Sequence, residues 1–123
     1  TDKSKMQNAI ELGHYDMLAI GSLSLSLKKL RKSIHSIEKK LKDISKIVSS
    51  ELIKLDLLDD KVKNRKEHST IFNIKDPDGS LFTYLANNNI ICSQRGKGVR
   101  LSFNFFNTKS DIKKLINTLI KFN

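Results

Sequence analysis

Two arginines carry most of the chemistry that this chain offers: Arg100 and Arg95, five residues apart in the stretch "RGKGVR". A guanidinium presents a planar fork of donors that matches the two oxygens of a carboxylate, so an arginine held on a strand suits bidentate carboxylate binding. The alternative for Arg100 is a surface ion pair with a nearby Asp or Glu. Other groups offer less. The run "RGKG" (Arg95–Gly98) is glycine-rich but lacks P-loop spacing, and no Ser or Thr follows Lys97, so it reads as a tight turn. His14, His35 and His68 are scattered, with no second ligand at metal spacing, and no metal site is expected. Cys92 lies between apolar residues and reads as filler rather than nucleophile. Ser22, Ser24 and Ser26 have no base beside them, so nothing resembles a catalytic triad.

Which elements position these residues follows from the apolar period. Met17, Ile20, Leu23, Leu27 and Leu30 recur at spacings of three and four, which predicts a helix over Tyr15–Arg31. A break is expected near Lys32–Ser33. Ile34, Ile37, Leu41, Ile44, Val48, Leu52 and Leu55 then predict a second helix, ending between Lys54 and Leu57, with one buried face. "STIFNIK" (Ser69–Lys75) alternates as a strand, with Ile71 and Asn73 on one side and Phe72 and Ile74 on the other. Asp76 is the expected N-cap, and Pro77 the first residue, of a short helix Pro77–Ala86. Asn87–Asn89 should end that helix, because Asn tolerates the left-handed conformation of a C-cap. Strands are expected at Ile90–Gln94 and Val99–Phe106.

In the last strand, alternation puts Val99, Leu101, Phe103 and Phe105 on one face and Arg100, Ser102 and Asn104 on the other. Arg100 therefore opens a polar face on a strand whose other face is core. "TKSD" then forms a capping-box pattern, with Thr108 as N-cap and Asp111 at N3, before an amphipathic helix carrying Ile112, Leu115, Ile116, Leu119 and Ile120. The fold class is α+β: a small, mostly antiparallel three-stranded sheet with helices packed mainly on one face, preceded by two N-terminal helices.

The chain has 123 residues, enough for one modest core, and is 38% apolar, as a folded globular protein is. No apolar run approaches the roughly 20 residues of a membrane span, so no membrane is expected. The opening "TDKSKMQNAIELG" lacks the apolar core and cleavage site of a signal peptide, and the chain starts at Thr1 as an excised piece would. The lone cysteine makes a reducing cytoplasm the expected location. The net charge of +10 comes from 19 Lys and four Arg, with no Trp. Base readout leans on Arg and single-strand binding on exposed aromatics, so the charge reads as solvated helix face and nucleic acid is not the expected partner.

The ordered stretch "NIICSQRGKGVRLSFNFFNTKSDIKKLINTL" resembles the closing segment of the class V aminotransferases. This PLP-dependent fold-type I family includes the cysteine desulfurases. Arg100–Leu101–Ser102, Phe106–Asn107–Thr108 and Ser110–Asp111–Ile112 carry the family's pattern of an arginine-bearing strand, "(F/Y)NT", and an acidic step into the last helix. "DGSLFTYLANNNII" is similar to its preceding helix and strand. "ELGHYDMLAIGSLSLSLKKL" resembles, more loosely, the opening of its C-terminal domain.

The resemblance implies a C-terminal small domain at 34–123, led by a bridging helix region at 1–33. It implies PLP and its lysine in an upstream large domain of the same chain, an amino-acid substrate, and a homodimer when intact. Arg100 matches the arginine that binds the substrate carboxylate, and Arg95 matches one whose role is less defined. His14 stands where the family commonly has a threonine that reaches the cofactor phosphate. Cys92 lies in the strand before a loop of only "RGKG", rather than on the longer loop that holds the desulfurases' mobile cysteine. The fragment itself should bind no cofactor and be inactive alone. The other reading of the chain is a stand-alone basic binding or oligomerisation module with no catalytic activity.

Overall fold

A computed structural model describes residues 16–123. The described elements run α1 (Met17–Lys54), α2 (Asp60–Lys63), β1 (Ile71–Lys75), α3 (Ser80–Asn87), β2 (Ser93–Gln94), β3 (Gly98–Ser102) and α4 (Lys109–Phe122). The fold is the expected α+β layout, with one antiparallel sheet in the order β1-β3-β2. The chain divides into two compact units, the first ending at Ile34 and the second running His35–Asn123.

The first unit contains the opening turns of α1. The Asp16 carboxylate accepts the Ala19 N–H at 2.9 Å and so caps the helix. The break expected near Lys32–Ser33 is absent: α1 runs unbroken for 38 residues. Neither Lys nor Ser removes a backbone donor or demands a positive φ, and once a helix is nucleated each added residue costs little. The spacing Leu27, Leu30, Ile34, Ile37 also keeps its phase across the supposed break.

In the second unit, Ile44, Val48 and Leu52 of α1 join Phe72, Ile74, Leu81, Leu85, Val99, Leu101, Ile112, Leu115, Ile116 and Leu119 in one core. Phe72 and Ile74 of β1 and Val99 and Leu101 of β3 are buried, while Asn73, Arg100 and Ser102 between them are exposed. The helices therefore cover one sheet face and leave the other open. The half-buried Phe103 meets Phe72 edge-on, with ring centroids 6.2 Å apart.

Three helix ends are built from local chemistry. α1 ends in a Schellman pattern: Leu57 N–H donates to Leu52 O at 3.1 Å, Asp56 N–H donates to Ile53 O at 3.0 Å, and Asp56 sits at φ 54°. α3 ends the same way at Asn89, at φ 57°, with Ile90 N–H donating to Leu85 O at 3.0 Å. The α4 capping box forms as read: Asp111 N–H donates to Thr108 Oγ1 at 3.2 Å, and Thr108 N–H donates to Asp111 Oδ2 at 2.8 Å.

Other boundaries differ from expectation. α3 starts at Ser80, not Pro77, with Gly79 as its left-handed N-cap residue. The second strand shrinks to Ser93–Gln94, because Ile90–Cys92 make no ladder with β3. β3 ends at Ser102 and not Phe106. The Asn104 and Asn107 side chains bond the local backbone at Phe105 and Asn104, turning the chain out of the sheet and exposing Phe105 and Phe106.

Gly98 faces Lys75 in the ladder, and a Cβ there would meet Ile74 O at 2.6 Å and Asn73 Oδ1 at 2.8 Å. The nearer atom is backbone and cannot rotate away. Gly98→Ala is expected to lower stability by about 2 kcal/mol, a typical overpacking cost, read as a reduced denaturation midpoint. Thr108→Ala should cost about 1 kcal/mol by the same measurement. The backbone and hydroxyl bonds from Thr108 hold the Asp111 carboxyl below its ordinary value of 3.8. A lowered folded-state pKa stabilises above the ordinary value and is lost as pH falls through the folded one. Acid titration of stability should therefore be shallower in Asp111→Asn than in the parent chain.

Candidate functional site

β3 is the central strand, so its exposed side chains have neighbours on both sides. Arg100 pairs in register with Asn73 of β1 and Ser93 of β2. Antiparallel partners project to the same face, so guanidinium, amide and hydroxyl share the open side of the sheet. The ion pairs among the described residues join Lys42 to Glu38, Lys54 to Glu51, Lys63 to Asp56 and Asp60, and Lys75 to Asp56. None of these, and no side-chain hydrogen bond among the described residues, engages Arg100. The ordinary surface ion pair weighed for Arg100 is thus not made among the described residues. A strand-borne arginine flanked by an amide and a hydroxyl can hold a carboxylate by a two-oxygen fork, with further polar groups beside it.

Arg95 stands at the other end of the β2–β3 hairpin. Its N–H donates to Gly98 O at 2.8 Å, closing a two-residue loop over Gly96 and Lys97. Gly96 has φ 59°, and a glycine at the first central position is what a type II′ hairpin turn demands. "RGKG" is therefore a turn, as read. Arg95 is exposed just past the end of β2, two residues along the chain from Ser93, the register partner of Arg100. His14 lies outside the described residues.

Cys92 is half-buried, just before β2. Burial and then the charge of Asp76 push its thiol up from the ordinary value of 9.0, which favours the unreactive protonated form. Among the described residues no group of three or more His, Cys, Asp or Glu could hold a metal ion. No helix among them is long and apolar enough to cross a membrane.

Asp76 has a larger part than the N-cap expected of it. It is only 3% exposed, and its two oxygens accept Leu81 N–H at 3.1 Å and Phe82 N–H at 2.9 Å. Its own N–H donates to Lys97 O at 3.2 Å. One residue thus ties the start of α3 to the hairpin that carries Arg95 and leads into Arg100. A buried carboxylate at a helix N-terminus is favoured by the free N–H groups there. Sequence reasoning found the residue but misplaced the helix start. It also missed Asn73 and Ser93 as neighbours of Arg100, since strand register carries that information.

A PLP aldehyde would need a lysine shielded from water. No described lysine is buried, and those with shifted pKa values, Lys42 and Lys63, are raised by hydrogen bonds to Glu38 and to Asp56 and Asp60. The described residues do not fit covalent attachment of that cofactor.

The chain is 34% identical over 89 residues to an uncharacterised aminotransferase of Schizosaccharomyces pombe. The match covers 70% of this chain and 22% of the relative, so the chain spans about a fifth of that protein's length. No family model matches the chain, and no solved structure matches it. The similarity supports an aminotransferase relationship.

Two substitutions separate site from scaffold. Arg100→Ala, on an exposed side chain without an ion pair among the described residues, should change stability by less than about 0.5 kcal/mol. Asp76→Ala strands two backbone donors in the interior and should cost about 2–3 kcal/mol, read from the same denaturation curves.

Proposed function

We propose that this chain is the C-terminal small domain of a PLP-dependent class V aminotransferase or a desulfurase-like relative, and that Arg100 binds the α-carboxylate of its amino-acid substrate. The similarity to an aminotransferase over most of the chain supports the parent class. The observation that carries the site is the exposed Arg100 on the central strand, without an ion pair among the described residues and flanked in register by Asn73 and Ser93. PLP, when bound in the parent's large domain, supplies an electron sink for chemistry at the substrate's α-carbon. What this chain adds is position. Two parallel N–H···O bonds fix the carboxylate plane, and the rest of the substrate then has a defined direction. Arg95 is a secondary candidate at the turn, and the homodimer belongs to the intact parent.

Met17, Leu18, Ile20, Leu23, Leu25 and Leu27 are all exposed on the first turns of α1. Apolar side chains in such a row favour burial against another surface. This agrees with a bridging region packed on the large domain. It also favours the second reading, a non-catalytic oligomerisation module.

In the enzyme expressed with its upstream sequence, Arg100→Lys should lower kcat/KM for the amino-acid substrate by about a hundredfold, the loss of one bidentate charged contact. Substrate amides that lack the carboxylate should lose little further on the same substitution. Equal loss for acid and amide substrates would refute the carboxylate role.

A further inference from the structure

We propose that a groove between α1 and the segment leading into β1 is a binding site for a phosphate monoester. The groove has a volume of about 490 Å³, and Lys42, Lys46, Lys63, Arg65, Lys66 and His68 are among the residues that line it. It lies within the second unit, and none of its lining residues belongs to the sheet.

The segment is tied to the helix rather than left to wander. The hydroxyl of the buried Ser45 donates to His68 O at 2.6 Å and also contacts Ser69 O at 3.1 Å. His68 in turn stacks on the core residue Phe72, with ring centroids 6.1 Å apart. This anchoring holds one wall of the groove against the other, so part of the ordering cost of binding is met before a ligand arrives.

The charges in the groove are unequal in availability. Lys42 is engaged by Glu38 at 2.8 Å, and Lys63 by Asp56 and Asp60. Lys46, Arg65 and Lys66 have no ion pair among the described residues, and Glu67 is the one carboxylate among the groove's lining residues. Three available cations against one acid leave a surplus of two positive charges. A phosphate monoester carries close to two negative charges near neutral pH and presents three acceptor oxygens, which matches that surplus. Arg65 supplies a fork suited to two of those oxygens, and the lysines supply point charges for the rest.

The volume exceeds what one phosphate group needs and lies in the range of small-ligand sites. Ile53 and the His68 ring add apolar and aromatic surface to the lining. The dianion would therefore carry a compact organic group. A long polyanion would use a continuous basic track with stacking aromatics, and His68 is the one aromatic ring among the residues lining this groove.

The probes are AMP, adenosine and inorganic phosphate, titrated into the full 123-residue chain while backbone amide signals are followed by NMR. AMP is expected to shift the amides of Ser45, Lys46 and Arg65–Ser69, and adenosine to leave them in place. Inorganic phosphate shifting the same amides with weaker affinity assigns the esterified anion. Equal affinity keeps the phosphate site and assigns the free anion as its ligand. The triple variant Lys46→Gln, Arg65→Gln, Lys66→Gln should weaken AMP binding at least about tenfold, an ion-pair loss of ordinary size. A control that removes the same charge elsewhere, Lys28→Gln, Lys97→Gln, Lys114→Gln, should stay within about twofold, as scattered surface charges do. All six positions are exposed, and an unchanged amide spectrum away from the groove confirms that each variant is folded. Shifts spread over the whole surface, equal weakening by both triples, or tighter binding of a single-stranded oligonucleotide than of AMP would each overturn the proposal.

Discussion

Phe72, Ile74, Val99 and Leu101 make one apolar face of a small sheet, and the rest of the second unit is arranged to cover it. Burial of that face is the main favourable term available to a chain of this size. Because side chains alternate along a strand, burying one set expels the other. Asn73, Arg100 and Ser102 are driven outward by the same packing that draws their neighbours in. A polar sheet face in a domain this small needs no separate stabilisation. It is the by-product of covering the sheet on one side only.

The close approach at Gly98 and the buried carboxylate of Asp76 adapt the hairpin to that arrangement. Gly98 lets β1 and β3 come together where a side chain would strike Ile74 O. Asp76 links α3 to the backbone of Lys97, so helix and hairpin share one anchor. Arg100 therefore rides on the central, doubly paired strand, where its backbone has little freedom. A side chain meant for orientation rather than bond-making benefits from that rigidity, since misplacement of the bound group directly lowers the rate.

The two charged regions of the domain differ in kind. On the sheet face the Arg100 guanidinium stands directly between the neutral Asn73 and Ser93. In the groove beside α1, several cations crowd together, and acids outside the groove pair with Lys42 and Lys63 among them. Composition alone could not separate these. A net charge of +10 spread over 23 basic residues looks uniform in sequence, and only the meeting of Lys42 and Lys46 with the segment at 63–68 concentrates it.

The sequence by itself determined whatever depends on near neighbours along the chain. The α4 capping box, the left-handed Asn at the end of α3, the outward side of Arg100 and the turn at "RGKG" all follow from spacings of a few residues. Their bonds close within one or two turns, so the local pattern contains the whole interaction. Where the reading failed, distant partners decide. The length of β2 depends on which residues find β3, and the start of α3 on a carboxylate lying outside the helix. The pairing of Arg100 with Asn73 depends on a register between strands more than twenty residues apart in sequence. The unbroken α1 is the exception. Its apolar phase runs straight through Lys32–Ser33, and its continuity was legible there because no residue in that stretch imposes a stop. Helical spacing set some ion pairs, such as Lys42 with Glu38, but tertiary structure alone brought Lys63 and Lys75 onto Asp56 and gathered Lys46, Arg65 and Lys66 in one groove, since those are meetings in space and not of order along the chain.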